Sequence, residues 1–244
     1  IKAAQRSKCL SIAYTYSEAV TFFEYMIDTA RLARENGVFN LWISNGYINR
    51  EPLLALCRVL DAANVNLKSY SDAIYRKLNG GRLQPVLDTL VYLARETDVW
   101  VELTTLLIPG LNDSDAELDE MTGWVVENLG PDVPLHFTAF HPDWKMRETG
   151  ATPAATLSRA RAIARGEVLN FVYTGNVHDR EGSSTWCPGC GELLIERDWY
   201  ELGEWLLRDG GHCAHCGHQI AGIFDERPGT WGSRRLPVAM HEPA

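Results

Sequence analysis

The sequence predicts an α/β chain: a partial or complete barrel of alternating strands and helices, followed by a small metal-stapled module. Three observations lead there. From residue 1 to residue 176, short apolar runs alternate with amphipathic segments, the β-α-β-α order of a parallel sheet with helical crossovers. No G-x-G-x-x-G loop follows the first strand, which argues against a dinucleotide-binding Rossmann domain. Near the C-terminus stand two C-x-x-C turns, Cys187-Pro188-Gly189-Cys190 and Cys213-Ala214-His215-Cys216, each followed by a glycine, Gly191 and Gly217.

The elements follow in order. Ile1 to Arg6 reads as the middle of a helix, and Leu10–Tyr16 (LSIAYTY) as a buried strand. Glu18–Asn36 reads as a helix stopped at Gly37. Val38–Ser44 is a strand, and Glu51–Ala62 a helix with Pro52 in its first turn. Val65–Leu67 is a short strand, and Ser71 or Asp72 caps a helix that ends at Gly80-Gly81. Pro85–Glu96 is a helix and Val99–Ile108 the longest strand. Asp113 or Ser114 caps a helix running to Leu129. Leu135–Phe140 is a strand, Pro153–Arg165 a helix and Asn170–Thr174 a strand. The expected division is a barrel over 1–178, a four-cysteine module over 179–225 and a flexible Pro/Gly-rich tail over 226–244.

The cysteine pairs carry the most specific chemistry. A C-x-x-C turn brings two thiolates within reach of one ion, and the glycine after it lets backbone amides face the sulfurs. Two such turns make a tetrahedral site from Cys187, Cys190, Cys213 and Cys216, which suits zinc, with iron as the alternative metal. A segment of about 40 residues or fewer rarely folds without such a staple. His212, His215 and His218 are competing ligands, but four thiolates are the simpler set. Cys9 and Cys57 are isolated and read as buried core thiols.

Composition narrows the rest. The chain has 244 residues, 45% hydrophobic and 23% charged, with a formal net charge of -9. Such an acidic chain is a poor binder of nucleic acid, and the module is itself rich in Glu and Asp. No run approaches the ~18 apolar residues of a membrane span. Cysteines arranged as metal ligands fit a reducing, cytoplasmic setting. The start at Ile1 suggests that the N-terminus of a longer protein is missing, with processing as the alternative.

In parallel barrels, chemistry sits at the C-terminal ends of the strands. Those ends are Thr15-Tyr16-Ser17-Glu18, Ser44-Asn45-Gly46-Tyr47, Asn66-Leu67-Lys68-Ser69, Ile108-Pro109-Gly110-Leu111-Asn112-Asp113, Phe140-His141-Pro142 and Gly175-Asn176. Each has a plain structural reading: Glu18 as a first-turn carboxylate, Asn45-Gly46 as a turn, Lys68 as a surface lysine and His141 as a loop histidine. Together they suggest a site for a small zwitterion.

The order TYSE, SNGY, NLK, LLIPGLND, FHP, TGNVHD and CPGCG…CAHCG resembles the radical S-adenosylmethionine enzymes. More narrowly, it resembles their AmmeMemoRadiSam type, related to pyruvate formate-lyase activating enzymes, from about Cys9 to Phe224. The resemblance implies a partial (β/α) barrel of the radical SAM type with a zinc-ribbon-like module. It implies reductive cleavage of S-adenosylmethionine to a 5′-deoxyadenosyl radical that abstracts hydrogen from a small-molecule or protein substrate, with an electron donor for the cluster as partner. It also assigns the cofactor-binding residues: Glu18 to the amino group, Asn45 and Asn66 to the lining, Lys68 to the carboxylate and His141 to the adenosine end.

Three departures stand out. Ala19 replaces a frequent proline. Asn66 replaces the acid of an Asp-x-Lys element. The Cys-x3-Cys-x2-Cys loop that holds the family's four-iron four-sulfur cluster is absent from the sequence, so its ligands are expected upstream of Ile1 and this chain alone is expected to be inactive. Two other readings remain: a Schiff-base, aldolase-like barrel using Lys68, and a non-catalytic protein whose zinc ribbon docks a partner.

Overall fold

The computed structural model describes residues 1–238. Residues 239–244 of the expected tail lie outside them, and residues 226–238 carry no helix or strand. Helix α1 (Lys2–Arg6) precedes β1 (Ser11–Tyr14), and a 3-10 turn (Ala19–Phe22) leads into α2 (Phe23–Glu35). Then come β2 (Phe39–Ser44), α3 (Arg50–Cys57), β3 (Ala62–Asn66), α4 (Asp72–Ile74) with a π turn (Tyr75–Asn79), α5 (Gln84–Glu96) and β4 (Trp100–Leu107). They are followed by α6 (Asp115–Leu129), β5 (Leu135–Ala139), α7 (Ala154–Gly166) and β6 (Val172–Gly175). The C-terminal part holds α8 (Arg180–Ser183), β7 (Thr185–Trp186), β8 (Leu193–Asp198), β9 (Glu201–Trp205), β10 (Leu207–Arg208) and β11 (His212–Cys213).

Among the described residues, the first six strands form one sheet in chain order, with parallel pairing of β1 to β2, β2 to β3 and β5 to β6. The expected fold class holds: an α/β partial barrel with a small four-cysteine module. In the module β7, β8 and β9 make an antiparallel sheet, and β10 and β11 a second hairpin.

Contacts divide the chain inside β4, between Leu103 and Thr104. The first unit, Ile1–Leu67 with Tyr75–Leu103, packs Met26, Ala30, Trp42, Leu56, Val65, Leu90 and Leu93 into its core. Within it, buried Asn40 accepts from the Tyr14 hydroxyl at 2.8 Å and donates to the carbonyls of Ala30 and Val59. Burial pushes the Tyr14 hydroxyl up to about 12. The second unit, Lys68–Ile74 with Thr104–Arg234, has a core of Leu107, Leu118, Met121, Val125, Leu135, Phe137 and Leu157. It also has a cluster in which Phe171, beside β6, packs with Cys187, Leu194, Ile195, Cys213 and Ile220.

Several boundaries differ from expectation. The helix expected through Ala62 stops at Cys57, and the strand expected from Val65 begins at Ala62. Asp61 is the cause: its carboxylate accepts the Asn40 amide at 2.7 Å, its amide donates to the Asn40 carbonyl, and its carbonyl accepts the Trp100 amide. These tertiary bonds override the helix propensity of the Ala-Ala pair. The helix expected before Gly80 is three residues of α4 and a π turn. The last strand lies two residues later than expected at its start, and the first is shorter. Cys9, expected to be buried, is exposed, and Cys57 is half-buried.

Candidate functional site

In the first unit, β1 and β2 end beside each other and deliver Glu18 and Ser44 to one place. Glu18 is half-buried and extended (φ -152°), just before the 3-10 turn. Its carboxylate accepts from the Ser44 hydroxyl at 2.6 Å, the Asn45 amide at 2.8 Å and the Val20 amide at 3.2 Å. Ser44 is 2% exposed, and its oxygen also accepts from the Gly46 amide at 3.1 Å. Gly46 has φ +71°, and a Cβ there would lie 2.7 Å from Val65, so no other residue fits. Asn66 joins the group by donating its side-chain N–H to the Ser44 carbonyl at 3.2 Å. An aspartate, with no N–H to donate, could not make that bond.

Glu18, Asn45 and Asn66 are thus brought together, with Ser44 as the hub that sequence reasoning did not single out. A carboxylate accepts about four hydrogen bonds, so Glu18 retains capacity for a ligand ammonium group.

Lys68 and His141 belong to the second unit. Lys68 is half-buried and His141 exposed. The main chain around Lys68 is held by side chains. Asn112, 3% exposed, donates to the Lys68 carbonyl at 2.7 Å and the Leu106 carbonyl at 2.9 Å, and accepts from the Ile108 amide. Glu117 accepts from the Ser69 hydroxyl and, at 2.8 Å, from the Tyr70 amide. Glu117 was missed in the sequence, where this stretch gives only a helix capped by Asp113 or Ser114; Ser114 and Glu117 have the spacing of a capping box. Half of that box forms, the Glu117 amide donating to Ser114 at 3.3 Å, while the glutamate side chain goes elsewhere.

The four C-terminal cysteines converge as expected. All four sulfurs lie within 4.8 Å of one another, with Cys187 and Cys216 at 3.6 Å and Cys190 and Cys213 at 3.8 Å. The two knuckles repeat one pattern. The amides of Gly191 and Gly217 donate to the carbonyls of Cys187 and Cys213 at 2.8 and 2.9 Å. The amides of Cys187 and Cys213 donate to the carbonyls of Glu192 and His218. Gly191 and Gly217 both have φ +77° with open space around them, so backbone conformation alone requires glycine.

The thiols are electrostatically unequal. Burial pushes the Cys187 thiol up. At Cys190 the Glu192 amide favours the thiolate, but burial and the three neighbouring sulfurs hold the thiol up, to about 12. At Cys213 burial opposes ionisation, and the amides of Cys216 and His215 with the Cys187 and Cys216 thiols reverse it, to about 6. A divalent cation binds such a set as thiolates, so its binding would release protons. Cys9 and Cys57 are outside this group, so among the described residues no second cysteine set fits a four-iron cluster.

The fold and the four-thiolate site together define an α/β partial barrel with a zinc-ribbon-like module. Residues 1–121 match the family model of the radical SAM superfamily. An uncharacterized protein of Methanocaldococcus jannaschii is 46% identical over 223 residues, 90% of this chain and 65% of that protein. The chain thus spans 65% of the length of this curated relative. A domain of pyruvate-formate lyase-activating enzyme from Bacteroides vulgatus superposes with a TM-score of 0.60 at 13% identity, over 68% of this chain and 99% of that one. A radical SAM methyltransferase from Sphaerobacter thermophilus gives 0.58 at 18%, over 79% and 58%. SuiB of Streptococcus suis bound to S-adenosylmethionine gives 0.55 at 13%, over 72% and 42%. At these identities the structures share the fold. No helix among the described residues is long and apolar enough to cross a membrane.

Proposed function

We propose that this chain is the S-adenosylmethionine-binding part of a radical SAM enzyme of the AmmeMemoRadiSam type, acting on a small-molecule or protein substrate. The observation that carries the reading is the Glu18 carboxylate, held by Ser44 and Asn45 where β1 and β2 end, within the segment that matches the superfamily. Glu18 takes the ligand's ammonium, since a positioned carboxylate pairs strongly with a cation. Asn45 and Asn66 line the same group. Lys68 takes the ligand's carboxylate and His141 its adenosine end, as the resemblance assigns them. The four-iron four-sulfur cluster finds no cysteine set of its own in this sequence, and residues outside 1–244 are proposed to hold it. Such a cluster, when bound, supplies the electron for reductive cleavage of S-adenosylmethionine.

Zinc is the proposed occupant of the C-terminal thiolates, in a structural role, because a closed four-thiolate shell leaves no open coordination position. The test is the complete gene product, expressed anaerobically, reconstituted with iron and sulfide, reduced and given S-adenosylmethionine. 5′-Deoxyadenosine is the expected product, and its absence from a protein with an intact cluster would sink the proposal. Metal analysis of the same preparation separates zinc from iron at the thiolate site.

A further inference from the structure

Beyond the last residue of β3 the chain keeps its alternation: Leu67 and Ser69 are buried, at 0% and 1% exposure, while Lys68 and Tyr70 are half-buried. Side chains of the loop after β4 and of α6 grip this stretch at consecutive residues. The Lys68 carbonyl receives the Asn112 side-chain N–H, and Ser69 and Tyr70 are both held by Glu117. Ser69 in turn accepts from the Ser71 amide at 3.1 Å, closing the turn that starts α4.

Two features mark the grip as directed. Asn112 uses both N–H groups and its oxygen on three main-chain partners, so no smaller or isosteric residue reproduces it. Aspartate in its place would aim a carboxylate at two carbonyls. Glu117 stands third in α6, where a capping box would turn its carboxylate back onto its own helix; it holds residues 69 and 70 instead.

We propose that Asn112 and Glu117 are positioning residues for Lys68. They fix the main chain from which the lysine leaves, and so decide how well its ammonium meets a ligand carboxylate. A lysine stem has four rotatable carbons, and a displacement of about 1 Å at a binding group costs up to ~100-fold in a well-oriented site. The proposal rests on the reading of Lys68 as the partner of the S-adenosylmethionine carboxylate.

The test is a double-mutant cycle on the complete, metal-loaded gene product, titrated calorimetrically with S-adenosylmethionine. Asn112→Asp and Glu117→Ala are each measured with Lys68 and with Lys68→Met, alongside Glu117→Gln, whose side-chain oxygen still accepts from Ser69 and Tyr70. Each disruptive change is expected to weaken binding about tenfold when Lys68 is present and less than about twofold with Lys68→Met, since coupled residues are non-additive. Glu117→Gln should restore most of the affinity. Amide hydrogen exchange supplies a readout independent of the ligand: Glu117→Ala should release the Tyr70 amide, and Glu117→Gln should keep it protected. Equal weakening in both lysine backgrounds, or none, overturns the proposal. If Lys68→Met alone leaves affinity unchanged, the reading of Lys68 itself falls and the proposal with it; the exchange data then still report whether the grip exists. Should Asn112→Asp fail to fold, the Glu117 pair decides alone.

Discussion

A carboxylate at a strand end is ambiguous in a sequence, and Glu18 illustrates why. The string TYSE marks it as a first-turn acid or a ligand group. The donors that distinguish the two, Ser44 and Asn45, lie 26 and 27 residues away in the chain. With those donors in place the carboxylate is oriented before a ligand arrives, and affinity gains from that preorganisation. Glu18→Gln removes the charge and points an N–H at a donor. It should weaken S-adenosylmethionine binding by about 10- to 100-fold, in line with the 1.5–3 kcal/mol typical of hydrogen bonds to charged groups. Calorimetric titration of the complete gene product checks this, with the thermal midpoint as a control for folding. The bond that Asn66 makes was not legible, because its acceptor is the main-chain carbonyl of Ser44 in β2.

At the scale of elements, the alternation of strands and helices was readable because each carries its own hydrophobic period. Where the reading slipped, long-range bonds had overridden local preference. The run Asp61-Ala62-Ala63 looks helical, yet Asp61 ties it to Asn40 in β2. The half-formed capping box of α6 is the same lesson: the pattern announces the start of the helix correctly but not the destination of Glu117. Helix α3 yields a pH prediction. Burial pushes the Cys57 thiol at its last residue from 9.0 up to about 11. A thiol kept neutral by the fold stabilises it fully below pH 9, and that contribution is lost as pH rises toward 11. Urea unfolding midpoints should therefore fall between pH 9 and 11, and fall less in Cys57→Ala.

For the molecule as a whole, the four-cysteine site was fully legible because its spacing is local and its glycines are obligatory. What the spacing could not say is that two of its cysteines share a core with the barrel strand β6. Cys187 and Cys213 pack with Phe171, and Tyr173 of β6 lies against the same cluster. Metal binding by such sites contributes on the order of 10 kcal/mol to folding, so chelation should be felt beyond the module. With a strong chelator, amide protection is expected to disappear from β8 and β9 and to drop by about tenfold or more in β6, as coupled units open together. Hydrogen exchange followed by mass spectrometry reads this directly. Unchanged protection in β6 would mean that the shared cluster is not a cooperative unit.

The paired knuckles also govern how freely this protein can be rebuilt. Cys190 and Cys213 close a span of 23 residues whose exposed crest is Trp199-Tyr200. With an ion tying down both ends, lengthening the span would only enlarge a loop already pinned, and each doubling of loop length costs about 0.6 kcal/mol. The crest is thus a natural graft point. A dozen glycine and serine residues inserted between Trp199 and Tyr200 should leave metal stoichiometry unchanged and lower the thermal midpoint by only a few degrees. A fluorescent label or an affinity handle placed there would report on the metal-bound module from outside.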